Sequence, residues 1–115
     1  MNAFCYRFRN DDGEMLYIGV TTNIMQRLKS HKAYWTITEP ITVDVMPVPA
    51  DDRYKIETAL IRRYRPTENH FVAQNDNEYW NVAEQWIPFA TIHPTGNCKL
   101  GKLVLIQHEN MEAKA

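Results

Sequence analysis

The chain has 115 residues, 44% of them hydrophobic, and a formal charge of −1. That length fits one domain able to bury a core, and the near-zero charge excludes a protein that attracts nucleic acid or membranes through bulk charge alone. No apolar run is long enough to cross a bilayer, and no secretory leader or lipidation motif is visible. Two cysteines, Cys5 and Cys98, lack zinc-like spacing, so the expectation is a soluble, cytoplasmic protein with reduced thiols.

The elements are taken in chain order. Phe4 to Arg9 alternates aromatic and other residues, as a half-buried strand does. Asn10-Asp11-Asp12-Gly13 is a turn signal, and Met15 to Val20 is a second strand, so the two form a hairpin. With Asp11-Asp12 at the turn centre, Tyr6 faces Tyr17; a bulge at Gly13 would slip that register. Thr22 or Asn23 caps a helix over Ile24–Tyr34. A strand over Ile41–Val45 is expected to end at Pro47 and Pro49. Asp51 or Asp52 opens a second helix, which runs to about Tyr64 and is stopped by Pro66. Beyond it, Glu78–Val82 and Trp86-Ile87 are compatible with strand or helix. His93–Asn97 reads as a turn, Leu100–Gln107 as a strand and the polar end as frayed.

Charge is unevenly spread. Residues 1–65 carry ten Lys/Arg against eight Asp/Glu, and the remainder three against six. The basic groups gather at Arg27, Lys29 and Lys32 and at Arg62, Arg63 and Arg65, which mark two helix faces as candidate phosphate-binding surfaces. Polar groups also fall on apolar faces. Ile24, Leu28 and Trp35 set the inward stripe of the first helix; His31 lies within it and Arg27 on its edge. Ile56, Leu60, Ile61 and Tyr64 set the inward stripe of the second, and Glu57 lies inside it. A charge placed inward needs a partner or a task. A plain Arg27–Glu57 ion pair with a satisfied His31 is the bland reading, and a catalytic site is the sharp one.

Tyr17-Ile18-Gly19 ending a strand, Tyr6 on the preceding strand, Arg27 and His31 one turn apart, then Glu57 and Asn69, together resemble the GIY-YIG nuclease family. The second family motif is complete, whereas Phe4-Cys5-Tyr6 keeps only the final tyrosine of the first. The resemblance spans about residues 3–70, leaving 71–115 as an extension within one domain of 1–115. It implies an α/β (α+β) fold, a small antiparallel or mixed sheet starting with a hairpin and flanked by helices. It implies a DNA endonuclease that hydrolyses phosphodiester bonds with one divalent cation, Mg²⁺ or Mn²⁺.

In that family frame Glu57 holds the metal, Arg27 offers a planar fork of donors to phosphate oxygens, and either Tyr6 or Tyr17 is the general base. His31 accepts or orients the tyrosine proton, and Asn69 bridges loops. Free tyrosine has a pKa of about 10, so nearby positive charge is required for such a base. Only one inward carboxylate is visible, which argues against a two-metal clamp. A catalytically silent nucleic-acid-binding module of the same fold is the alternative. No separate recognition motif is visible, so specificity is expected from DNA shape or from a partner protein. Tyr79, Trp80 and Trp86 are better suited to packing than to stacking on unpaired bases.

Overall fold

The computed structural model describes residues 2–34, 39–69, 82–95 and 98–105. Strands β1 (Asn2–Arg9), β2 (Met15–Thr21), β3 (Ile41–Pro49), β4 (Ile87–Thr95) and β5 (Cys98–Leu105) form one antiparallel sheet in the order β2-β1-β3-β4-β5. Helices α1 (Ile24–Tyr34) and α2 (Arg53–Tyr64) complete an α+β fold. Of the expected Glu78–Val82 element, residues 78–81 lie outside the described residues, Tyr79 and Trp80 among them, and Val82 is in neither helix nor strand. No helix among the described residues is long and apolar enough to cross a membrane.

The side-chain period of two splits the strands between two cores. Tyr6, Phe8, Val43, Val45, Ala90 and Ile92 pack with Ile24 and Leu28 of α1. Ala3, Cys5, Ile18, Val20, Met46 and Val48 pack with Ile56, Leu60 and Ile61 of α2. The helices therefore cover opposite faces of the sheet, and Ala90 and Ile92 bring β4 into the same core as β1.

The hairpin register differs from the two-residue turn expected. The Gly13 N–H donates to the Asn10 carbonyl (3.0 Å), and Asn10 and Glu14 close the loop through Asn10 N–H to the Glu14 carbonyl (3.1 Å). Asn10 Oδ1 also accepts from the N–H groups of Asp12 and Glu14. Gly13 sits at φ +82°, which only glycine adopts without cost. The loop thus holds three residues, and the pairing shifts again between Phe8 and Arg9, where Leu16 is left unpaired. As a result Tyr6 faces Gly19, and Tyr17 faces Phe8.

Strand β3 runs through both prolines instead of ending before them. Its last partner on β4 is the Val45–Ile87 pair. Pro47 and Pro49 lie beyond it, where that edge of β3 needs no N–H. Helix α1 is capped by Asn23, whose Oδ1 accepts the Gln26 N–H at 3.1 Å. A single 3-10 turn, Ala50–Asp52, precedes α2. Helix α2 ends on Arg65 in the left-handed region (φ 47°), its N–H donating to the Ile61 carbonyl. Tyr64 was expected on the inward stripe but is 38% exposed, its hydroxyl donating to Glu84.

Candidate active site

Tyr6 is fully buried on β1, and the hydroxyl end of its phenol occupies the space that a side chain at Gly19 would fill. A Cβ at Gly19 would stand 2.5 Å from the Tyr6 hydroxyl and 3.0 Å from the Tyr17 ring. The glycine of the Tyr-Ile-Gly motif is thus the seat of the opposite tyrosine.

The two tyrosines are diagonal neighbours on the α1 face, with ring centroids 6.0 Å apart. The His31 ring closes the group edge-on, 4.9 Å from Tyr17 and 5.2 Å from Phe8. The Tyr6 hydroxyl lies 2.7 Å from His31 Nε2. It also bonds the Tyr17 hydroxyl and accepts from Arg27.

Burial dominates the electrostatics. It raises the Tyr6 phenol far above its ordinary range, assisted by Tyr17 and opposed by Arg27. It raises Tyr17 as well, against the hydrogen bond to Tyr6 and the charge of Arg27. Burial and then the Arg27 charge lower His31 to about 4. At neutral pH the imidazole is uncharged, and its Nε2 can accept the Tyr6 proton. Arg27 sits on the exposed side of α1, yet its charge reaches Tyr6, Tyr17, His31 and Glu57.

Glu57 comes from α2, on the other face, and joins the site around the free edge of β2. Along that edge every second residue turns its backbone groups away from β1. The Leu16 carbonyl accepts the Glu68 N–H (2.9 Å). Ile18 is bonded twice by the Asn69 side chain, its N–H donating to Oδ1 and its carbonyl accepting from Nδ2, both at 2.9 Å. Two residues on, the Val20 N–H donates to the Glu57 carboxylate. Glu68 and Asn69, which follow α2, and Glu57, within it, thus bond the outward groups of β2 as a further strand would. Burial raises Glu57 above the usual carboxylate range, although Arg27 and the Val20 N–H pull it down.

Tyr6, Tyr17, Arg27, His31 and Glu57 are therefore brought together, and Asn69 supports them from the β2 edge. The basic surface is less uniform. Lys29 is exposed on α1; Lys32 lies on the same helix, and its side chain is outside the described residues. Arg63 is ion-paired to Glu84 at 2.5 Å, Arg62 is half-buried with a partner of its own, and Arg65 is exposed at the helix end. Glu84, which also accepts from Tyr64 and Trp86, carried no sequence signal. Nor did the role of Gly19 as a seat for Tyr6, which follows from the register.

Among the described residues no three His, Cys, Asp or Glu side chains gather as a metal-holding group. The donors near Glu57 are oxygens, its own carboxylate and, within electrostatic reach, the Tyr17 phenol. Such a set suits a hard cation that keeps most of its own water, with Glu57 as its protein ligand.

Residues 2–37 match the family model of the GIY-YIG catalytic domain. The match supports the resemblance over the stretch that holds Tyr6, Tyr17, Arg27 and His31, and a domain of that description suggests nuclease activity. No curated protein and no solved structure matches the chain. Glu57 and Asn69 lie beyond the matched residues, and their place beside the site comes from the fold.

Proposed function

We propose that this chain is an endonuclease that hydrolyses phosphodiester bonds in DNA with one divalent cation, Mg²⁺ or Mn²⁺, held by Glu57. The observation that supports it best is the convergence of Glu57 from one face of the sheet with Tyr6, Tyr17, Arg27 and His31 from the other. A bound cation there supplies charge neutralisation at phosphorus and acidifies nearby groups.

The chain's own residues divide the remaining work. Arg27 donates its fork to the non-bridging oxygens, where negative charge grows. Tyr17 is half-buried, whereas Tyr6 is sealed and its hydroxyl already engaged. Tyr17 is therefore the phenol that meets the attacking water. As it takes the water proton, its own passes to Tyr6, and the Tyr6 proton passes to His31 Nε2. Burial is the larger cause that holds His31 low and the Arg27 field the smaller; negative charge arriving beside Arg27 offsets that field and eases the passage of the proton to the imidazole. Asn69 keeps the β2 edge in place and touches no substrate.

The basic groups Arg27, Lys29, Lys32, Arg62 and Arg65 are the candidates for phosphate contacts, with a partner protein or DNA shape supplying selectivity. Cys5, a buried thiol pushed up to about 12, suits a reducing cytoplasmic setting. The test is a nicking assay on supercoiled DNA with Mg²⁺ or Mn²⁺, run beside Glu57→Gln. Nicking by the wild type alone is expected; equal nicking by both overturns the assignment.

A further inference from the structure

On the α2 face of the sheet, away from the tyrosines, Arg7 and Arg9 share one carboxylate. Asp44 is 1% exposed, and its Oδ2 accepts from Arg7 Nε and from Arg9 Nε, both at 2.7 Å. Arg9 Nη2 adds a weak contact to Oδ1 at 3.4 Å. The two arginine side chains are only 20% and 33% exposed. Two half-buried guanidiniums against one carboxylate leave a net positive charge withdrawn from water. A charge so placed is costly unless an anion joins it.

The geometry says where that anion would sit. Each arginine spends Nε on Asp44, so the terminal nitrogens of Arg7 point away from it, as does Nη1 of Arg9, whose Nη2 makes only the 3.4 Å contact. Among the described residues no other acceptor meets those nitrogens. Trp86 stacks on Arg7, its ring centroid 4.6 Å from the guanidinium carbon, and so fixes the plane of that fork. Trp86 is itself tethered through Nε1 to Glu84 at 2.8 Å. Side chains two apart on a strand stand side by side on one face. Two adjacent forks present more donors than the two oxygens of a carboxylate can accept. A tetrahedral oxyanion with three or four oxygens can serve both.

We propose that Arg7 and Arg9, braced by Asp44 and Trp86, form a phosphate-binding site on the sheet face opposite α1. Its ligand is a phosphate group, carried either by a nucleic-acid strand or by a free phosphate. The site does not depend on cleavage, because none of its residues belongs to the Glu57 cluster.

The experiment follows the Nε–Hε signals of Arg7 and Arg9 by NMR while inorganic phosphate, and separately a short single-stranded oligodeoxynucleotide, replaces chloride at fixed ionic strength. Both signals are expected to shift together and saturate. In Arg7→Lys, which keeps a charge for Asp44 but lacks the fork, affinity read from the Arg9 signal should fall at least tenfold. Arg9→Lys should do the same to the Arg7 signal. Asp44→Asn removes the competing carboxylate and should tighten binding several-fold. Saturation by the oligonucleotide well below the phosphate concentration names a nucleic-acid source, and saturation by phosphate alone names a free one. Shifts that never saturate, or that persist unchanged in both lysine variants, overturn the proposal. So does weaker binding in a folded Asp44→Asn protein.

Discussion

The Tyr6 hydroxyl and His31 Nε2 stand 2.7 Å apart, and neither group is charged at neutral pH. His31 at about 4 lies below its unfolded value of roughly 6.5. In that window the unfolded chain binds a proton that the native chain does not, so stability rises with pH. The contribution is complete above pH 6.5 and is lost as pH falls toward 4. Glu57, raised by burial, acts with the opposite sign from its ordinary value upward. The comparison with His31→Gln therefore isolates the histidine. Urea unfolding between pH 4 and 7 should show a smaller slope in the variant, and equal slopes would mean that His31 titrates normally in the fold.

Gly19→Ala should cost more activity than stability. The added methyl meets the Tyr6 hydroxyl and its ring carbon at 2.5 and 2.6 Å, and Tyr6 is fully buried with no room to retreat. Overpacking of this kind costs about 1–3 kcal/mol. The phenol must leave the path between Tyr17 and His31 to accommodate it. Circular dichroism should report a folded protein with a lowered melting temperature, while nicking falls below a tenth of wild type. Full activity would show that the Tyr6 position is unimportant.

Much of this arrangement was legible in the sequence. Helix α1 has the bounds expected, because Asn23 and the apolar period fix it locally. The inward placement of His31 and Glu57 follows from the same helical period. The Tyr6–Tyr17 relation was misjudged because register depends on loop geometry: a three-residue loop and an unpaired Leu16 move the partner of Tyr6 from Tyr17 to Gly19. Of β4 the sequence offers only Trp86-Ile87, as strand or helix, because short apolar runs look alike in either state, and the strand continues through His93–Thr95, which read as part of a turn. The edge of β2 was invisible, since nothing local tells a side chain that it will replace a strand.

Glu57→Gln should abolish cleavage and leave the fold intact. The amide oxygen can still accept the Val20 N–H, but the negative charge that would hold a divalent cation is gone. DNA binding should persist, because phosphate contacts come from the arginines and lysines. Arg27→Lys should lose roughly 10²–10³ in rate although its charge is kept, because lysine lacks the planar fork. Single-turnover cleavage and gel-shift measurements on the same preparations separate the two effects. Near-normal rates in Arg27→Lys would reduce Arg27 to a steering charge.

The tyrosines should separate as well. Tyr17→Phe removes the phenol that reaches water and should lose activity across the pH range. Tyr6→Phe interrupts the path to His31 and should lose less. Burial holds both phenols protonated through neutrality and keeps His31 uncharged above about pH 4, so the relay is in its reactive form throughout and the wild-type rate should be level between pH 6 and 9. A rate that climbs about tenfold per pH unit between 6 and 9, the mark of an ionising phenolate base, or a larger loss in Tyr6→Phe, would overturn these roles.

Asn69→Ala tests the substitute strand. The variant strips Ile18 of both outward hydrogen bonds, each 2.9 Å in the native chain. Net losses of about 1 kcal/mol per bond predict a destabilisation of about 2 kcal/mol. The effect should be local first: the Ile18 amide should exchange with solvent faster, and then the Val20 amide held by Glu57. Cleavage should weaken in parallel, because Glu57 meets the site through that same edge. Asn69→Asp keeps the acceptor for the Ile18 N–H but loses the donor for its carbonyl, and so should recover the Ile18 amide's protection in part. If Asn69→Ala abolishes cleavage while both amides exchange at the wild-type rate, Asn69 acts on the substrate and not through β2.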